Sequence, residues 1–400
     1  MASSDSSGLF SRRPSRLAGM PGIGVDRMGD MADALADPAV LRLENLDTDI
    51  RPLAAALEAT RRAVDDDAAN SYLPFLGQDR LRRAAAAHVG RLAGVAYDWR
   101  RDCVISAGGL SGILNVLLAA IEPGDGVVMT EPIYAGLINR VRLAGGVPRF
   151  APLRPAREGW RLDLAAFRAA ASAPGTRAAL LMSPSMPTGH VLNEEEWREV
   201  ARICIERDLL VVYDAAMERI LFDGRVPFHP ARLPGMAERT VTIGAASKEL
   251  RMIGWRVGWV VGPAKLIADV GLVSMANVVC QVGIAMDAVA VALEAGDADV
   301  AAAAREWQAR RDAILGELDG VVPAIAPHGG WSLLLDCGAV GMTGAEASRR
   351  LMAEAKIAAT SMENWGGPDT ARYLRFVYAN EPAARLNGIG ARVKRALAGP

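Results

Sequence analysis

Residues 239–262 read RTVTIGAASKELRMIGWRVGWVVG. The runs RTVTIG (239–244) and RVGWVVG (256–262) are apolar and rich in Val, Ile, Thr and Trp, a composition that favours strands. Between them lies a polar turn, with Lys248 four residues past the first run. The same alternation extends upstream. DRLRRAAAAHVGRL (79–92) has helical spacing, CVIS (103–106) is a short apolar strand, and residues 110–120 are helical again. GDGVVMT (124–130), ALLM (179–182) and LLVVY (209–213) add strands, and NEEEWREVARICIERD (193–208) adds a helix. Short apolar strands alternating with helices predict an α/β fold, a mostly parallel sheet covered by helices on both faces. The C-terminal third differs: Ala-rich helices near 284–317 precede the strands WSLLLD (331–336) and YLRFVY (373–378). That pattern predicts a smaller α+β domain. The expected organisation is an N-terminal segment 1–52 packing with the small domain, a large domain 53–290 and a small domain 291–400.

Bulk composition narrows the function classes. Of 400 residues, 51% are hydrophobic and 23% charged, a globular balance with a full-sized core. The net charge of -1 gives no general attraction to nucleic acid or to an acidic membrane surface. Four cysteines stand apart with no CxxC pair, which argues against a metal site or a disulfide scaffold and suits a reducing cytoplasm. No apolar run approaches the roughly 18 residues of a membrane span. MASSDSSGLFSRRPSR (1–16) reads as a polar leader rather than a signal peptide.

Open parallel sheets bind ligands beyond the carboxyl ends of their strands. Those positions hold Gly108–Gly109, Tyr134, SPSMPTG (183–189), Asp214 and Lys248. Lys248 is one of only four lysines among 45 Lys and Arg residues. It is either a surface charge or a primary amine with a lowered pKa, the group that Schiff-base chemistry needs and arginine cannot supply. Arg256, eight residues on, has the planar fork that suits a phosphate. Asp214 is either a helix N-cap or a carboxylate partner for a protonated ring nitrogen. GGLSG (108–112) opens a helix after a strand, where backbone N–H groups can receive a phosphate, although many such turns bind nothing. Tyr134 is a packed turn aromatic or a ring stacked on a flat cofactor.

Taken in order, these segments resemble the class I/II aminotransferases, the fold-type I pyridoxal-phosphate enzymes. SYLPFLGQDRLRRAAAAH (71–88), VISAGGLSGI, IEPGDGVVMTEPIYAG, SKELRMIGWRVGW and YLRFVYAN each match a segment of that family, from about residue 40 to the C-terminus. The Ser-Lys…Gly-x-Arg-x-Gly pattern is the most specific of them. The resemblance implies pyridoxal 5'-phosphate held as a Schiff base on Lys248, which also shuttles the substrate proton. It implies Asp214 on the pyridinium, Tyr134 on the ring, and Gly108, Gly109, Leu110, Ser247 and Arg256 around the phosphate. Tyr72 would reach the phosphate of a neighbouring subunit in a homodimer, and Arg375 would clamp the substrate carboxylate. Substrates would be an amino acid and a 2-oxo acid, with no nucleic acid, membrane or metal involved.

The chain departs from the family at three points. Met186-Pro187-Thr188-Gly189 stands where Asn-Pro-Thr-Gly is usual, Asp214-Ala215-Ala216-Met217 stands for Asp-x-x-Tyr, and Ala245 replaces a Ser or Thr. The missing Asn and Tyr would hydrogen-bond the cofactor's 3'-oxygen. With Met186 and Met217 there, the oxygen's charge is balanced by the protonated imine, which raises the imine pKa. The alternative is that both are flexible apolar filler. Asn45 falls near a family glycine and would narrow the pocket or offer an amide to the substrate. Trp331 and Trp365 read as buried tryptophans, with a place in the cleft as the alternative.

The leading expectation is an aminotransferase working by two half-reactions. A second reading keeps the cofactor but ends in β- or γ-elimination, cyclisation or oxidation, and the two methionines motivate it. A third, a non-catalytic cofactor-binding sensor, lacks a basic recognition helix in the 50 or so residues before the resemblance.

Overall fold

The computed structural model describes residues 14–20 and 22–398, so most of the expected leader, residues 1–13, lies outside it. Among the described residues the large sheet has eight strands. In chain order β1 is Cys103–Ser106, β2 Gly126–Glu131, β3 Val147–Ala156 and β4 Gly159–Leu162. Then come β5 Thr176–Met182, β6 Leu210–Asp214, β7 Thr240–Ala245 and β8 Gly258–Val261. Their spatial order is β1-β8-β7-β6-β5-β2-β3-β4. The five strands β7, β6, β5, β2 and β3 run parallel.

The strand β8 runs antiparallel to both β7 and β1. The reason lies in the connection. A parallel return needs a crossover of a dozen or more residues, usually a helix. The twelve residues 246–257 contain no helix, only a turn. Lys248 and Arg256 sit at the two ends of this turn and therefore at the same edge of the sheet. The β3–β4 hairpin is hidden in the sequence because Pro148, Pro152 and Pro155 mask its strand pattern. Prolines are tolerated near a sheet edge, where fewer ladder bonds are lost.

Local signals agree with the helices. Asn193 caps Glu194–Glu206 by accepting the Glu196 N–H at 2.8 Å, while Glu196 accepts the Asn193 N–H at 2.9 Å. This reciprocal pair satisfies two donors that the helix start would leave orphaned.

The small domain carries four antiparallel strands in the order Ala324–Ile325, Ser332–Asp336, Tyr373–Val377, Thr360–Ser361. Leu41–Arg42 pairs in parallel with Ile357–Ala358, and Met28 and Ala32 of the helix Val25–Leu35 cluster with Met352. Position 290 falls inside the helix Gly283–Glu294, whose Met286 and Val289 cluster with Ala56, Ala85 and Val89. The expected boundary at 290 therefore falls within a helix that packs on residues of the large domain. One apolar core joins the domains: Val128, Leu181 and Val211 of the large sheet pack in a single cluster with Trp307, Leu334 and Phe376. Among the described residues no helix is long and apolar enough to cross a membrane.

Candidate active site

A cavity of about 300 Å³ opens at the carboxyl edge of the parallel strands. Asn45, Gly109, Leu110, Tyr134, Met186, Asp214, Met217, Ser247, Lys248, Arg256 and Arg375 all line it. These positions are spread over more than 300 residues of chain, and strand register brings them level. Met182 pairs with Asp214, and Asp214 with Ile243, so β5, β6 and β7 end together.

Lys248 is half-buried and donates its Nζ to the Leu46 carbonyl at 2.9 Å. Its Nζ also lies 4.7 Å from the centre of the Trp331 ring. Burial pushes its pKa down to about 7; Arg375 and Arg256 push the same way, against Asp47 and Asp214. Loss of hydration penalises the charged amine, so a free nucleophilic base is available near neutrality. Asp214 is buried, and burial raises it to about 6 against the Ala216 N–H and the charges of Arg140 and Lys248. A buried carboxylate at that level becomes a full anion once a cation is placed beside it.

The glycine turn and Arg256 form a cradle. Gly108 has φ +83°, and a Cβ there would lie 2.5 Å from Arg256 Nη2. Glycine is thus required both by backbone conformation and by the approach of the guanidinium. Arg256 Nη1 donates to Ser247 Oγ at 3.1 Å and to the Ile253 carbonyl at 2.9 Å. Arg256 itself has φ +53°, a conformation held for position. The helix Gly109–Ala120 begins here and points its unpaired N–H groups at the cavity edge.

Arg375 is buried on the opposite side. Its guanidinium bonds the Glu44 carbonyl, lies 3.4 Å from Thr360 Oγ1 and 3.5 Å from Met186 Sδ. Its buried Nε has no partner among the described residues. Burial lowers it to about 10, which leaves it cationic at neutral pH. An unspent donor on a buried cation suits a carboxylate ligand.

An amine, an anion cradle, a buried carboxylate and apolar walls are the parts that pyridoxal 5'-phosphate needs, and the Gly108–Arg256 cradle fits that group's phosphate. Met186 and Met217 are buried at the wall and offer only thioethers. Tyr134 precedes the helix Ala135–Leu143, and its ring meets Trp365 edge-on at 5.5 Å. Trp331 and Trp365 are fully buried and do not line the cavity; Trp365 backs Tyr134 and Arg375, the latter at 4.9 Å. Tyr72 is 84% exposed and is not brought to this chain's own cavity.

Sequence reading missed Leu46, Arg140 and the segment Ile23–Asp26. Leu46 acts through its backbone, which no residue type advertises. Arg140 is half-buried, donating to the carbonyls of Leu110 at 2.9 Å and Gly136 at 2.8 Å, and it acts on Asp214 by charge. Ile23, Val25 and Asp26 line the cavity because the N-terminal helix folds back over the site, and nothing local in the sequence signals it.

A family model described as aminotransferase class I and II matches residues 41–389. Over 245 residues the chain is 39% identical to the probable N-succinyldiaminopimelate aminotransferase DapC of Mycobacterium tuberculosis. That stretch is 61% of each chain, so it spans less than two thirds of the relative's length. The arginine–pyruvate transaminase AruH of Pseudomonas aeruginosa is 32% identical over 308 residues, 76% of this chain and 77% of its own. The solved N-succinyldiaminopimelate aminotransferase from Mycobacterium tuberculosis superposes with a TM-score of 0.88 at 30% identity, covering 96% of this chain and 100% of the other. Aspartate aminotransferase from Thermus thermophilus with maleate gives 0.88 at 28% identity, covering 96% and 99%. With its large sheet, its half-buried lysine and this match across most of its length, the chain belongs to the aminotransferase class I and II family.

Proposed function

We propose that the chain is a pyridoxal 5'-phosphate-dependent aminotransferase that moves an amino group between an amino acid and a 2-oxo acid. The observation that carries this reading is a half-buried Lys248 amine in one cavity with Asp214, Gly109, Arg256 and Arg375. When bound, the cofactor supplies an aldehyde that captures amino groups and a ring that accepts electrons from Cα. The protein's residues do the rest. Lys248 holds the cofactor and moves the proton at Cα, a task suited to an amine near neutral pKa. Asp214 holds the ring nitrogen protonated. Gly108, Gly109, Leu110, Ser247 and Arg256 hold the phosphate, and Tyr134 covers the ring. Arg375 orients the substrate carboxylate, and Asn45 borders its side chain.

The same reading includes a cytoplasmic homodimer. Four free cysteines, three of them buried, suit a reducing compartment. Exposed Tyr72 and Phe75 sit near exposed Leu272, Met275, Val279 and Val282, since Leu76 abuts Gly271 and Leu73 abuts Gly283. A contiguous apolar patch of this kind supports a second copy docking there, with Tyr72 reaching the partner's phosphate. Analytical ultracentrifugation giving only monomer at micromolar concentration would remove that part.

The central test uses purified protein loaded with cofactor. Borohydride reduction followed by peptide mass spectrometry should place the cofactor's mass on the Lys248 peptide. Adding amino acids should then change the visible absorbance of unreduced protein and yield 2-oxo acid. The two buried methionines favour one alternative, elimination, cyclisation or oxidation on the same scaffold. Ammonia release without need of an acceptor 2-oxo acid would select it.

A further inference from the structure

We infer that the substrate is an amino acid whose side chain ends in a cation, an ω-amino or guanidino group, and that Asp26 receives that cation. The inference rests on the aminotransferase reading above. It comes from matching charges in the cavity, whose charged lining groups among the described residues are Asp26, Asp214, Lys248, Arg256 and Arg375. In the proposed function Arg256 faces the phosphate, Asp214 the ring nitrogen, Arg375 the substrate carboxylate, and Lys248 the reacting carbon. Asp26 alone is left without a counterpart. Its carboxylate makes no side-chain hydrogen bond or ion pair among the described residues. Arg27 and Arg349 border the adjoining cavity with it, and it pairs with neither.

Placement supports this role. Trp365 Nε1 donates to the Ile23 carbonyl at 3.2 Å, and the Trp365 ring lies 4.9 Å from Arg375 Cζ. The start of the N-terminal helix is thereby pinned at the Arg375 end, where the substrate's carboxylate is anchored. Ile23, Val25 and Leu46 line the cavity and offer aliphatic surface to a chain of methylenes. Long cationic side chains bury their stems on such surface and present their charge at the rim. Among the described residues no further arginine or lysine lines the cavity for an acidic side chain, which would meet the like charge of Asp26.

Asp26 also lies in the first turn of the helix Val25–Leu35, where a carboxylate stabilises the helix by itself. The experiment separates the two roles. Cofactor-loaded full-length protein is mixed with L-ornithine, L-lysine, L-arginine, L-norleucine and L-glutamate, and kcat/KM is read from the visible absorbance. At least one of the three cationic amino acids should exceed norleucine, with glutamate last. In Asp26→Asn the ratio of that amino acid to norleucine should fall about tenfold, mainly through KM. In Asp26→Lys glutamate should overtake the cationic substrates. The inference is overturned if norleucine or glutamate leads in the wild type, or if Asp26→Asn leaves the ratio intact and lowers only Tm. If no amino acid of any class changes the absorbance, the aminotransferase reading itself fails.

Discussion

The two sides of the cavity are built differently. One side is the sheet edge: Gly108, Asp214 and Lys248 lie at or just past strand ends and Arg256 just before the antiparallel β8, all held by ladder register and a short turn. The other side is assembled from Ile23, Asn45, Met186 and Arg375, segments that meet only because the small domain and N-terminal helix pack against the large domain. The sheet edge carries the general chemistry, an amine, a carboxylate and an anion cradle. In the proposed function the assembled side decides what is admitted. A rigid edge serves chemistry because catalytic geometry tolerates little error, whereas the opposite wall can change residue by residue without disturbing it.

The sharpest way to break this contrast is Lys248→Ala. It should abolish the borohydride-fixed cofactor mass and lower kcat by about 10²–10⁴-fold or more, the range of a lost acid–base group. Retained turnover would show that the sheet edge does not carry the reaction. Arg375→Lys tests the assembled side. A buried fork replaced by a point charge should lower kcat/KM by about 10- to 100-fold, chiefly through KM, with the cofactor mass still fixed at Lys248. An equal loss for amines lacking a carboxylate would contradict the assignment.

Next in size is Met186→Asn combined with Met217→Tyr, which puts hydrogen-bond donors where the wall offers thioethers. The visible absorbance of the loaded protein should then titrate with its midpoint at lower pH than in the wild type. An unmoved midpoint would show that both methionines are filler.

The smallest effect concerns stability of the cofactor-free protein. The folded-state pKa of Lys248, about 7, is depressed from an ordinary 10.5. A depressed base contributes stability above its unfolded value and loses it as pH falls through the folded value. The contribution of Asp214 runs the other way, present below 3.8 and lost as pH rises through about 6, so it lies outside this window. Lys248→Met should therefore melt higher than the wild type at pH 7, by a margin that shrinks as pH rises toward 10.5. A constant margin measured by calorimetry would count against burial as the cause.

Much of the sheet edge is legible in the sequence. Strand runs and their following residues mark Gly108, Asp214 and Lys248, since the carboxyl end of a strand is a property of chain order. The direction of β8 is not legible there, because an apolar run does not say which way it points; the missing crossover helix decides it. The hairpin β3–β4 is hidden by its prolines. That the helix Gly283–Glu294 packs against Ala56 and Val89 is not legible either, since these partners are more than 190 positions away.

Residue types and spacing alone determined the available chemistry: a rare lysine in an arginine-rich chain, a carboxylate at a strand end, a glycine turn and two methionines in place of polar groups. Tertiary structure alone decided that Leu46 presents its carbonyl to Lys248 and that Asp26 reaches the cavity. It also decided that burial moves Lys248 and Asp214 toward neutrality. Local pattern encodes what a residue is able to do, while hydration and neighbours, which set its charge and its reach, depend on chain segments that meet only in the folded molecule.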